Sequence, residues 1–192
     1  MSQDLDDGRQ ARPLLVRTTG GAIEGQLLTS PVVRTLDDLN VVSRHFVTLH
    51  RPRAVDSGWE LDDGPLAIAK SSILFVNERG EQPRRGESRR VETSRFFRAP
   101  IRLWVAELAV HGFLHVSAGG DVMARINQAS HPFLALTSVS VFGNDAELAA
   151  PFLAVNRSFI RAAQALAVDE DDSEMTPLSA GSSIQVDRPA GD

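Results

Sequence analysis

His111 and His115 are the closest this sequence comes to a metal site. Alternate residues of a strand point the same way, so a strand over Val110 to Val116 would put both imidazoles on one face. A zinc site needs a third protein ligand, and no acidic residue or histidine follows at ligand spacing. No metal is therefore expected, and His45, His50 and His131 read as scattered loop-edge residues. The serines offer no activated nucleophile. Ser71-Ser72 and Ser138 with Ser140 lack the glycines of a strand-to-helix elbow, so no triad is expected. Asp37-Asp38 and Asp62-Asp63-Gly64 pair carboxylates, but in turn composition, where they read as solvated loop residues. Gly119-Gly120-Asp121 is a turn and not a phosphate cradle, because no Gly-Lys-Ser/Thr follows. The absence of cysteine excludes disulfides, thiolate metal sites and a cysteine nucleophile. The expectation is a protein that is not an enzyme and carries no cofactor.

Binding chemistry is concentrated in one segment. Between residues 79 and 100 stand Arg79, Arg84, Arg85, Arg89, Arg90, Arg95 and Arg98, against Glu81, Glu87 and Glu92, with Phe96-Phe97 near the end. The arginine fork pairs with a carboxylate or phosphate in two places at once. Arginine and aromatics also dominate the energetics of protein interfaces. Arg84, Arg85, Arg89, Arg90, Arg95, Phe96, Phe97 and Arg98 are thus the expected partner-binding residues; a merely solvated linker is the competing reading. The chain is acidic overall, with net charge -5 and pI about 5.5. A nucleic-acid binder should carry a basic face, so nucleic acid is not the expected partner. Other protein subunits are, integral membrane proteins or anionic lipid headgroups included.

Those residues sit on a chain that repeats itself. With Gly25 laid on Gly112, Leu39-Asn40 falls on Ile126-Asn127, and Phe46 falls on Phe133. After a length difference, Phe75-Val76-Asn77 matches Ala154-Val155-Asn156. The expected structural repeat is Gly25, Asn40, Phe46 and Asn77 against Gly112, Asn127, Phe133 and Asn156. Asparagines at such places are turn-makers more often than ligand contacts. Two small domains, each marginal alone, would lean on one another or on a partner.

Short strands fill both copies. Leu14–Arg17, Ala22–Leu28, Phe46–Leu49, Leu66–Ala69 and Ile73–Val76 are expected in the first; Leu103–Leu108, Val110–Val116, Phe133–Leu136, Val139–Phe142 and Phe152–Val155 in the second. Gly25 and Gly112 inside strands predict a bulge or sharp bend. Arg34 to Asn40 reads as a loop or short turn with Leu39 as its apolar anchor, and the alanine-rich Ser158 to Val168 as a short closing helix or, at its start, an extension of the last strand. The expected division is an N-terminal tail over 1–12, domains over 13–78 and 101–168, an arginine-rich linker over 79–100, and an acidic tail over 169–192. The start of the chain is acidic and lacks the apolar core of a signal peptide, and no apolar run approaches membrane-span length. A cytoplasmic protein, soluble or peripheral at the cytoplasmic membrane face, is expected.

Each copy resembles an Sm-like domain, a five-stranded bent barrel. The resemblance rests on Val16, the turn Gly20-Gly21, Ile23-x-Gly25-x-Leu27 and Leu36-Asp37-Asp38-Leu39-Asn40, with echoes of a second motif in Phe75-Val76-Asn77-Glu78 and Val155-Asn156-Arg157. It implies a mainly β fold of two tandem barrels. In that family a loop asparagine and acidic residue, with an Arg-Gly pair, hold an RNA base. Asn40 and Asn127 occupy the asparagine position. The expected function is a non-catalytic assembly subunit of a larger complex, such as an extrinsic subunit of a photosynthetic or respiratory membrane assembly. The alternative is a nucleic-acid-binding regulator.

Overall fold

Runs of leucine, isoleucine, valine and phenylalanine broken by glycine, proline and polar clusters favour short strands. The computed structural model describes residues 8–56, 58–80, 96–117, 119–143 and 147–167. The first half consists of β1 (Gln10–Thr18), β2 (Gly21–Thr29), helix α1 (Thr35–Leu39), β3 (Phe46–Ala54), β4 (Leu66–Ala69), a 3-10 turn (Lys70–Ser72) and β5 (Ile73–Glu78). The second comprises β6 (Phe96–Val105), β7 (Leu108–Ser117), α2 (Val122–Asn127), β8 (Phe133–Phe142), β9 (Glu147–Asn156), a 3-10 turn (Arg157–Phe159) and β10 (Ile160–Ala165).

All ten strands form one open antiparallel sheet in the order β10-β6-β7-β8-β9-β5-β1-β2-β3-β4. Both halves follow one order within it: fifth, first, second, third, fourth. The halves meet where β5 pairs with β9, Phe75 opposite Val155 and Val76 opposite Ala154. The protein is mainly β, as expected, but the halves share a continuous sheet.

The repeat runs at a constant 87 positions, from Phe46 and Phe133 at the third strands to Ile73 and Ile160 at the fifth. Hydrogen bonds outside the strands repeat with it. The amide of Thr19 donates to Ser72 O as that of Ala106 does to Phe159 O, both at 3.0 Å. Lys70 N donates to His45 O at 2.9 Å, and Arg157 N to Pro132 O at 2.8 Å. No length difference intervenes, so Asn156 is equivalent to Ala69 and not to Asn77. Phe75-Val76 and Ala154-Val155 are instead the two strands that pair at the join.

Each half bends at its glycine. The β2–β3 register skips between Glu24 and Gln26, and the β7–β8 register between His111 and Phe113. Opposite each glycine a residue takes the left-handed conformation, Arg51 at φ 50° and Ser138 at φ 48°. A Cβ on Gly25 would lie 2.9 Å from Leu49 Cβ, and one on Gly112 would lie 3.1 Å from Val139 Cγ2. The missing side chain lets the third strand cross close to the second, which is the reason for glycine here.

Two cores result, and each borrows across the join. Leu14, Val16, Ile23, Leu39, Leu49, Ile73 and Val76 cluster with Phe133 and Ala154 of the second half. Ile101, Leu103, Val110, Leu136, Val139 and Leu153 cluster with Leu74 and Phe75 of the first. β5 therefore buries both faces, which explains its unbroken apolar run.

Several expected boundaries move. Phe96 to Pro100 belong to β6, paired with β7 from Phe96 opposite Ser117 onward, so the linker is shorter than 79–100. Pro100 has no N–H to give and is accommodated at the end of the β6–β10 ladder, one residue beyond Ile101 opposite Ala165; its carbonyl accepts from Leu166 N, as Pro13 O accepts from Arg79 N. Strand structure also begins before residues 13 and 101, at Gln10 and Phe96. Leu103 to Leu108 divides between β6 and β7, while Val139 to Phe142 continues β8 past its bulge. Arg34 to Asn40 contains α1, with Leu39 buried as its anchor. Ile160 to Ala165 is a strand and not a helix, because pairing with β6 outweighs the helical preference of alanine. Residues 1–7 and 168–192 lie outside the described residues.

Candidate functional site

The repeat asparagines have unequal roles. Asn40, at the C-terminal end of α1, donates its side-chain amide to Phe133 O at 3.1 Å and accepts from Phe133 N at 2.9 Å. It satisfies both main-chain groups of the first β8 residue, as a neighbouring strand would. Asn156, at the end of β9, donates to Lys70 O at 2.9 Å and Ile73 O at 2.8 Å, and its Oδ1 accepts from Ser158 N at 3.0 Å. Two amides thus clasp the halves beside the β5–β9 pairing. Asn127, the repeat partner of Asn40, is exposed and makes no side-chain hydrogen bond among the described residues. Asn77 is buried opposite Leu15, its Oδ1 without a hydrogen-bond partner among the described residues.

The repeat phenylalanines differ in the same way. Phe133 is 2% exposed inside the first core, whereas Phe46 is 57% exposed at the outer end of the sheet. The difference follows from position: Phe133 has a neighbouring half to enter, and Phe46 has none.

The partner-binding segment is described only at its end. Arg84, Arg85, Arg89, Arg90 and Arg95 lie outside the described residues. Phe96 opens β6, and Phe97 is 52% exposed. Arg98 stacks over the Phe113 ring at 4.3 Å and donates to Ser138 Oγ at 2.8 Å, which holds its guanidinium against the sheet.

An open cleft of about 590 Å³ reaches from the start of β3 to the join, lined by Arg44, His45, Phe46, Lys70, Ser71, His131 and Arg157 among others. Lys70 and Arg157 occupy equivalent positions at the starts of the two 3-10 turns. Burial lowers the Lys70 pKa, with Arg44 adding to the effect and Asp38 opposing it. Lys70 donates to Val41 O at 2.8 Å, Arg44 pairs with Asp38, and Arg157 Nη1 is buried without a hydrogen-bond partner among the described residues.

The histidines do not converge. Arg102 Nε donates to His111 Nε2 at 2.8 Å, and the ring meets Phe142 edge-on. Burial, then the nearby Arg102 charge, pushes the His111 pKa down. His115 Nε2 lies 3.1 Å from Thr137 Oγ1. Among the described residues no three metal-ligating side chains come together.

One polar cluster has no counterpart in the sequence reading. Arg12 and Glu78, with side chains only 8% and 10% exposed, pair at 3.4 Å. Thr35 Oγ1 donates to Glu78 Oε2 at 2.7 Å. The cluster ties the start of α1 to β1 and β5. Its repeat equivalents, Ala99, Ala165 and Val122, are apolar, so the only sequence signal was a loss of symmetry between copies.

No family model, curated protein or solved structure matches the chain. Among the described residues, no helix is long and apolar enough to cross a membrane.

Proposed function

We propose that the chain is a non-catalytic assembly subunit, built from two Sm-like barrels fused edge to edge, that joins other protein subunits through its sheet ends. The observation that carries this reading is the unequal fate of like surfaces. In the join, β5 and β9 pair and Phe133 is enclosed; at the outer ends, β4 and β10 each have one side unpaired among the described residues, and Phe46 stands exposed. An unpaired edge is a template for another strand. Val42, also exposed, lies beside Phe46 in the same cleft and enlarges the apolar surface. The host complex in this proposal lies at the cytoplasmic face of a membrane, as an extrinsic subunit of a photosynthetic or respiratory assembly would. Tagged chain purified from its own cells, from soluble and membrane fractions, should bring protein subunits in fixed stoichiometry. A chain that returns from both fractions as a monomer, with no other protein, overturns the proposal.

A second reading, a nucleic-acid-binding regulator, draws on Arg44, Lys70 and Arg157 lining one cleft. It requires ultraviolet-absorbing, nuclease-sensitive material in the purified sample and binding that weakens steeply with salt.

A further inference from the structure

We infer that the partner at the outer ends is a second copy of this chain, docked head to tail through the same kind of joint that unites the two halves. The inference rests on the assembly reading above and names its partner.

The join inside the chain is heterologous: a fifth strand pairs with a fourth strand, and an asparagine after the second strand grips the phenylalanine that opens a third. A heterologous joint leaves one unused surface of each kind at the two ends of the array. Here these are β4 with Phe46 at one end and β10 with Asn127 at the other. Carrying the internal register across by 87 positions sets Ala162 opposite Ile68 and Ala163 opposite Ala67. It also places the Asn127 amide on the main chain of Phe46 in the next copy, as Asn40 sits on Phe133.

The receiving surface is apolar where the comparison requires it. Phe133 packs in a cluster with Leu39, Ile73 and Val76. The equivalent residues of the second half are Ile126, Ile160 and Ala163, all only partly buried and at the margin of their core. Phe46 is the side chain of matching shape and position, exposed at the opposite end. The external joint differs from the internal one on β10, where Arg161 and Ala162 replace Leu74 and Phe75. Less apolar area is therefore covered, and the external joint is weaker and reversible. Repetition of such a joint closes a ring or extends a filament, according to the rotation per copy.

Sedimentation of the full chain from roughly 1 to 100 μM should show species at multiples of 20.8 kDa. Phe46→Glu should weaken assembly roughly 30-fold or more, the loss of a central aromatic contact. Asn127→Arg should also give monomers, and its fold is expected to survive because Asn127 is exposed and its side chain holds nothing among the described residues. Mixing the two variants restores one intact joint, so a pair of chains should form and go no further. A wild-type chain that stays monomeric throughout, or folded variants that assemble as the wild type does, overturns the inference. So does a mixture of folded variants that remains monomeric. If the wild-type chain is monomeric yet purifies with other subunits, the inference falls and the assembly reading stands; if it brings down nothing, both fall.

Discussion

Asn40→Ala and Asn127→Ala make the same change at equivalent repeat positions, and the structure requires different outcomes. Removing the Asn40 amide deletes the bonds at 3.1 Å and 2.9 Å to the main chain of Phe133, a residue 2% exposed. Each such bond contributes about 1 kcal/mol net, and a buried group left unpaired costs about 1–3 kcal/mol. A loss of about 2–4 kcal/mol follows, allowing for partial relaxation of α1. For a chain of 192 residues that lowers the melting temperature by roughly 4–16 °C. Asn127→Ala removes no side-chain bond among the described residues and should fall within about 0.5 kcal/mol of wild type. Urea unfolding of both variants, at concentrations where the chain is monomeric, measures the pair. Amide exchange at Phe133 locates the effect: protection should fall in Asn40→Ala and hold in Asn127→Ala. Equal losses in the two variants would refute the clasp.

Other perturbations test other parts of the structure. Gly25→Ala should cost about 1–3 kcal/mol, because the new methyl meets Leu49 Cβ at 2.9 Å and His50 O at 3.2 Å. Gly112→Ala should cost less, since its nearest neighbour is a Val139 methyl at 3.1 Å; thermal melts of the two give the order. Glu78→Ala should destabilise by about 3–5 kcal/mol by stranding the buried Arg12 charge, whereas replacing Arg12 and Glu78 together by apolar residues should restore much of the loss. His111 has its pKa lowered from 6.5, so its neutral form stabilises the fold above that value and the contribution is lost as pH falls below it. His111→Gln keeps an acceptor for Arg102 Nε and cannot charge, so its melting temperature should fall less than wild type between about pH 7.5 and pH 5.5.

Much of the fold is legible in the residues because the two copies constrain one another. Gly25 with Gly112 marks the bulges, and Phe46 with Phe133 marks the start of each third strand. The closing match misled for a physical reason. Phe75-Val76-Asn77 and Ala154-Val155-Asn156 look alike because both line the join, where each strand is buried on both faces. The true equivalents, Lys70-Ser71-Ser72-Ile73 and Arg157-Ser158-Phe159-Ile160, share a basic residue, a serine and an isoleucine, a weaker but ordered signal. The alanine-rich β10 reads as a helix until β6 is present to pair with it. Arg12 and Glu78 stand 66 residues apart, and no local pattern announces a contact of that range. The clasp was half legible: Asn40 and Asn156 stood out as repeat residues, but which half each gripped depends on the order of strands in the sheet.

Native mass spectrometry of the tagged chain from its own cells, wild type beside Phe46→Glu, tests the central claim most directly. The account predicts a protein assembly containing the wild-type chain in fixed stoichiometry, without nucleic acid, and its depletion in the variant. A wild-type chain recovered as a free monomer, or with RNA as its only companion, would contradict it.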